Sequence, residues 1–335
     1  MGRQIGNTAC VNAQLPAGGT PIAGRYTLGR TLGAGAAAVV HAGRDLRTNA
    51  RVAVKLYRPT GVAIRLQQQR ELEALAQLDH PGLVTLHDGG TEPGPDGRTY
   101  VITDLIEGPT LATRMQQGPL RVGEIRTLAA TLSAALAHVH ARGFVHRDVK
   151  PANILLDHGR EPRLADFGIA RALDGTVATA TGAVAGTAAY LAPEQVRGEI
   201  VGPPADVYAL GLVLIEARSG RREYPGAMVE SATARLYRRP VVPSGLPRDL
   251  AALLHAMTDP DPAARPTAAQ VADKLSKRPR VRKRRVGHAL AAAGLLGVVL
   301  GGISLWGAAP DPAPTPVGAV VPVQMTPSPP DTPGH

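Results

Sequence analysis

The stretch His146-Arg147-Asp148-Val149-Lys150-Pro151-Ala152-Asn153, closed by the apolar run Ile154-Leu155-Leu156, constrains this chain more than any other part of it. A carboxylate, an arginine, a lysine and an amide fall within eight residues. Polar groups crowded against a buried strand belong on a loop that the strand holds in place. Asp166-Phe167-Gly168 comes a short distance further on. Phosphoryl transfer needs such a set: a carboxylate to accept the proton of the attacking hydroxyl, a cation to offset charge on the moving group, and an amide oxygen with a second carboxylate to hold magnesium. Alone, Asp148 would read as a solvated loop aspartate. Beside Lys150, Asn153 and Asp166 it reads as the base.

A second signal lies upstream in Thr31-Leu32-Gly33-Ala34-Gly35-Ala36-Ala37-Ala38-Val39-Val40. Glycines at 33 and 35 let backbone amides approach phosphate oxygens. By itself G-x-G-x-x-A also fits a dinucleotide-binding turn. The next residues separate the two, since a dinucleotide turn opens a helix and Val39-Val40-His41-Ala42 reads as a second strand. Fifteen residues past Val40, Lys55 ends the alternating strand Arg51-Val52-Ala53-Val54-Lys55. Alternation points Lys55 inward, where it needs a carboxylate. The helical stretch Val62 to Leu78, with a partial stripe of Ile64, Leu72, Leu75 and Leu78, offers Glu71 first and Glu73 as the weaker choice. Between Arg121 and Arg142, Ile125, Leu128, Leu132, Leu136 and Val139 recur at helical spacing and predict a core helix.

The spacing H-R-D-x-K-P-x-N followed by D-F-G resembles the catalytic and metal loops of bacterial Hanks-type (eukaryotic-like) serine/threonine protein kinases, and Val52–Lys55 resembles their V-A-I-K strand. The likeness covers about residues 25–275 and implies an α+β bilobal protein-kinase fold. A small, mainly β N-lobe would span 25–106 and a larger α-helical C-lobe 107–275. It implies ATP and magnesium as cofactors, with manganese as substitute. Asp148 would be the base, Lys150 the charge stabiliser, and Asn153 and Asp166 the metal ligands. Lys55 with Glu71 would hold the α- and β-phosphates beneath a lid formed by residues 33–40. Leu32, Gly33, Ala34, Gly35, Val40 and Ala53 would enclose the nucleotide, with Thr103 as gatekeeper and Asp104 and Ile106 giving backbone groups to the base. The family expects glycine where Ala38 stands. Thr187 would favour Ser and Thr acceptors and bond Asp148 and Lys150. Asp206, opening an apolar helix, would brace the catalytic loop from beneath, and Arg265 would be the buried partner of Glu194. A threonine-rich stretch, 176–182, cannot bury enough to order itself. A phosphate on Thr179 or Thr181 would pair with Arg147 and order it, so autophosphorylation is expected there. The competing reading is a pseudokinase that keeps the fold as a nucleotide-binding scaffold. Its usual sign, a missing catalytic group, is absent apart from the glycine at 38.

Charge and hydropathy divide the rest. The formal net charge is +10, but seven positives sit in one run from Lys277 to Arg285, leaving +3 elsewhere. A nucleic-acid-binding surface is therefore poorly supported. One cysteine, Cys10, rules out an intramolecular disulfide. Residues 1–24 lack an apolar h-region and read as a flexible arm. Residues 289–309 hold twenty-one residues without a charge, enough to cross a hydrocarbon core as a single transmembrane helix. Their eight Leu, Ile and Val residues contribute very roughly −2.5 to −5 kcal/mol to insertion. The basic segment 276–288 precedes the span, and the tail 310–335 has no Lys or Arg. The positive-inside rule thus puts the kinase in the cytoplasm and the tail outside, with anionic lipid at the basic run. Gly297 and Gly301 form one G-x-x-x-G, a weak pointer to a homodimer. The proline-rich tail is expected to be extended and disordered, without the folded sensor that related receptor kinases carry.

Overall fold

Strand alternation builds the first layer. In β3 (Arg51–Tyr57), Val52, Val54 and Leu56 turn to one side and are buried. They pack with Ile22, Tyr26, Tyr100 and Ile102 into a small core. Ala53 and Lys55 face the other side, as the period of two demands. Residues 20–35, 38–58, 72, 76–93, 97–158, 161–166 and 188–276 of this computed structural model are described. β1 (Tyr26–Ala34), β2 (Ala38–Asp45), β3, β4 (Leu86–Thr91) and β5 (Thr99–Asp104) form an antiparallel sheet in the order β1-β2-β3-β5-β4. Across β3 and β5, Ala53 pairs with Thr103 and Lys55 with Val101. These residues roof a cleft.

Part of the stretch 1–24, read as a flexible arm, is packed against the sheet. Ile22 is only 1% exposed, and its N–H donates to the Tyr26 carbonyl at 2.8 Å. A lone apolar residue among Gly, Pro and Ala shows no period, so pattern reading passes over it. The expected helix from Val62 lies outside the described residues except for its end, where Leu72 is helical and buried.

Below the cleft the chain is mainly helical: α1 (Leu111–Met115), α2 (Val122–His140), α3 (Pro193–Arg197), α4 (Pro203–Ser219), α5 (Met228–Tyr237), α6 (Arg248–Met257) and α7 (Ala268–Ser276). The stripe expected on α2 is the one it buries. Its first turn is closed by the Glu124 carboxylate, which accepts the Arg121 N–H at 2.9 Å. α4 is buried around nearly its whole circumference and ends on Gly220 at φ +71°, a left-handed cap that glycine adopts without strain. A hairpin, β6 (Ile154–Asp157) and β7 (Glu161–Leu164), lies between the catalytic loop and the metal loop. Among the described residues no helix is long and apolar enough to cross a membrane; the span 289–309, the basic segment and the tail lie outside them.

One ion pair fastens α3 to the end of the domain. Arg265 donates to both Glu194 oxygens at 2.7 and 2.8 Å, to the carbonyls of Asp259, Pro204 and Pro260, and stacks 4.8 Å from the Tyr208 ring centre. Its side chain is fully buried. Arg265→Met should therefore cost about 3–5 kcal/mol, because it strands a buried carboxylate. Urea unfolding followed by circular dichroism measures the loss. A shift under about 1 kcal/mol would contradict the assignment.

Candidate active site

The catalytic loop is shaped by a carboxylate beneath it. Asp206, in the first turn of α4, accepts the backbone N–H groups of His146 and Arg147, both at 2.8 Å, and lies 2.9 Å from His140 Nε2 on α2. Arg147 has φ +63°, a conformation that costs a residue with a Cβ roughly 1–2 kcal/mol. The two bonds from Asp206 offset that cost. His146 is wholly buried. Its Nδ1 accepts the Asp148 N–H at 3.3 Å, so its Nε2–H donates to the Ala165 carbonyl at 3.1 Å. One neutral ring thereby joins the catalytic loop to the residue before Asp166. The Ala165 N–H returns a bond to the Asn153 carbonyl at 2.8 Å.

Above this base the polar groups meet. Lys150 Nζ and Asn153 Nδ2 both donate to Asp148 Oδ2, at 2.7 and 2.9 Å, and Asn153 Nδ2 also reaches the Asp148 carbonyl at 2.9 Å. The carboxylate is held by its own loop. Lys55 Nζ donates to Asp166 Oδ1 at 2.7 Å and lies 5.3 Å from the Tyr57 ring centre. Burial alone would lower the ammonium pKa, but Tyr57 and Asp166 outweigh it and hold it above the ordinary lysine value. The structure thus pairs Lys55 with Asp166. Glu71, named for that place, lies outside the described residues, as do Thr179, Thr181 and Thr187. Asp166 is itself left-handed, at φ +57°.

A cleft of about 660 Å³ opens beneath the sheet. Leu32, Gly33, Val40, Ala53, Lys55, Thr103, Asp104, Ile106 and Asp166 line it. Ala34 and Gly35 do not; the Gly35 N–H is taken by the Ala38 carbonyl at 2.8 Å. Ala38 is buried and its φ is not positive, so the turn makes no use of a glycine there. Asp148 lies outside that wall, in a small pocket of about 10 Å³ with Tyr190 and Leu191, and Asn153 joins the two regions through its bonds to Asp148 and Ala165. The sequence reading missed the apolar walls: Val84, Leu86, Val101 and Leu155. Leu155 was within reach, since Ile154 and Leu156 on either side are buried in the core and alternation turns Leu155 the other way. The stretch around Val84 and Leu86 carries no such signal.

The donors suit a hard cation. Asp166 offers a carboxylate, and Asn153, whose nitrogen makes both its bonds, leaves its amide oxygen as donor. Among the described residues no group of three or more His, Cys, Asp or Glu could hold a metal alone. A hard cation such as magnesium takes one or two protein oxygens and completes its shell with phosphate and water.

A β-sheet roof over a helical base, with two carboxylate-bearing loops meeting at the junction, is the arrangement of a protein kinase domain. Residues 26–275 match the protein kinase domain, and the chain belongs to that family. It is 38% identical to the serine/threonine-protein kinase PrkC of Bacillus subtilis (strain 168) over 62% of this chain and 32% of the relative. It is 39% identical to the serine/threonine-protein kinase PknB of Mycolicibacterium smegmatis over 70% of this chain and 39% of the relative. It is 41% identical to the probable serine/threonine-protein kinase PkwA of Thermomonospora curvata over 63% and 28%. The match spans between about a quarter and two fifths of these relatives' lengths.

Burial holds His146 neutral by pushing its pKa below the ordinary 6.5. The unfolded chain binds that proton more readily, so the contribution of His146 to stability is present above pH 6.5 and lost as pH falls below it. His80 and His138, lowered chiefly by burial too, act in the same direction. The urea midpoint should drop between pH 7.5 and 5.5, and His146→Gln should flatten part of that slope. An unchanged slope in the variant would remove His146 from the account.

Proposed function

We propose that this chain is a serine/threonine protein kinase that transfers the γ-phosphate of ATP, with magnesium, to hydroxyls of protein substrates. The observation that carries the proposal is Asp148, held through one oxygen by both Lys150 and Asn153, with the Asn153 carbonyl in turn bonded to the residue before Asp166. Bound magnesium nucleotide supplies the phosphoryl group and neutralises charge on its oxygens. Asp148 takes the proton of the acceptor hydroxyl. Lys150 offsets charge where the phosphoryl group arrives, and Lys55 orients the phosphates from the roof. Asp166 and Asn153 would hold the cation. Ser/Thr selectivity is supported by Lys150 in K-P-x-N and by the names of the relatives.

The apolar span 289–309 and the basic run before it support a single-pass anchor, with the kinase cytoplasmic and the tail outside. Arg147 beside the base supports autophosphorylation at Thr179 or Thr181.

The test is transfer of labelled phosphate by the full chain with magnesium. Asp148→Asn should lose about 10²- to 10⁴-fold in rate, the usual worth of a positioned base. Equal labelling of both proteins would overturn the reading and leave a nucleotide-binding scaffold. Proteolysis of sealed right-side-out vesicles should trim only the tail beyond Pro310. Loss of the kinase domain under that treatment would reverse the topology.

A further inference from the structure

Charged groups converge at one more place, beneath the segment joining β5 to α1, where a second cavity of about 370 Å³ opens. Asp104, the last residue of β5, lines it. One carboxylate oxygen lies 2.7 Å from His87 Nε2. A carboxylate only accepts, so that ring nitrogen carries the proton. The other oxygen lies 3.6 Å from the Arg163 guanidinium, which is 3.1 Å from Asp157 through its second terminal nitrogen. The side chains of Arg163, Asp104 and Asp157 are 25, 30 and 17% exposed, so the pairs are only partly screened by water. His87 and Asp104 belong to the sheet above the cleft, Asp157 and Arg163 to the hairpin below it. The network crosses the junction between the two.

The register gives this crossing its meaning. Arg163 is the direct cross-strand partner of Leu155, so the two side chains share one face of the hairpin. Leu155 lines the nucleotide cleft. The main chain of Asp104 borders the same cleft; its N–H donates to the Thr85 carbonyl at 3.1 Å, and its carbonyl accepts the Thr103 hydroxyl at 3.3 Å. One guanidinium therefore links the strand under the nucleotide to the edge that would meet its base. Resting on the kinase reading above, we infer that Arg163 is a positioning residue for the nucleotide: by holding the Asp104 carboxylate it fixes the backbone edge at 104–106 relative to the cleft wall at Leu155. It lines no part of the cleft itself. A planar fork with separated nitrogens serves two carboxylates at once, which a lysine ammonium does less well.

The experiment titrates the full-length protein and its Arg163→Met, Arg163→Lys and Asp104→Asn variants with a fluorescent ATP analogue, alongside steady-state kinetics on a peptide acceptor. Arg163→Met should weaken nucleotide binding and raise the KM for ATP about three- to tenfold while kcat moves less than about twofold. Arg163→Lys should recover only part of the loss. Adding Arg163→Met to Asp104→Asn should weaken binding no further, because the two act through one contact. Arg163→Gln serves the same comparison if the methionine variant does not fold. Unchanged affinity in a folded Arg163 variant, additive losses, or a fall in kcat at constant KM would each overturn the inference. A wild-type protein that binds no nucleotide would instead sink the kinase reading.

Discussion

Beneath the catalytic loop a single carboxylate takes three donors from two directions. Asp206 is 1% exposed, and a buried carboxylate is tolerable only when its oxygens are satisfied. The donors that satisfy it are two consecutive amides of the loop and the ring of His140. Core helices α2 and α4 therefore set the path of the loop, including the left-handed residue at Arg147. Without Asp206 two buried N–H groups would lose their partner, each at about 1–3 kcal/mol, and the left-handed turn at Arg147 would lose its tether to the core. The geometry around Asp148 is in this sense a product of the hydrophobic core.

The second dependence is electrostatic. Lys55 holds Asp166 Oδ1 from the roof of the cleft while His146 holds the preceding carbonyl from below. A left-handed Asp166 is thus fixed at its side chain and at its neighbour. A cation drawn to Asp166 would meet a carboxylate already sharing one oxygen with an ammonium. The two positive charges then compete for one group, and phosphate oxygens between them would relieve the repulsion. This arrangement suits a metal that arrives with its nucleotide.

Much of the candidate site was legible because its polar groups are chemically conspicuous. Asp148, Lys150, Asn153 and Asp166 are polar residues in an apolar setting, and Lys55 lies on a strand whose alternation shows on its face; that strand runs on to Tyr57, past the end read at Lys55. Asp206 and the Glu194–Arg265 pair were expected from the family resemblance, and all three are buried and hydrogen-bonded. The bond from Lys55 to Asp166 was less accessible, because sequence ranks carboxylates by nearby pattern and Asp166 stands 111 residues away. Aliphatic walls such as Val84 and Leu86 bear no mark that distinguishes lining from core. The Asp104–Arg163 contact was hidden for a third reason, since both are ordinary surface residue types until a register brings them together.

Strand β3 carries two different jobs on its two faces. Val52, Val54 and Leu56 anchor the upper core, while Ala53 and Lys55 look into the cleft. Because side chains alternate strictly, inserting or deleting one residue between Arg51 and Lys55 would exchange the faces wholesale. The ammonium would enter the oil and a valine would greet the phosphates. Point changes along this strand are negotiable one at a time; a change in its length is not.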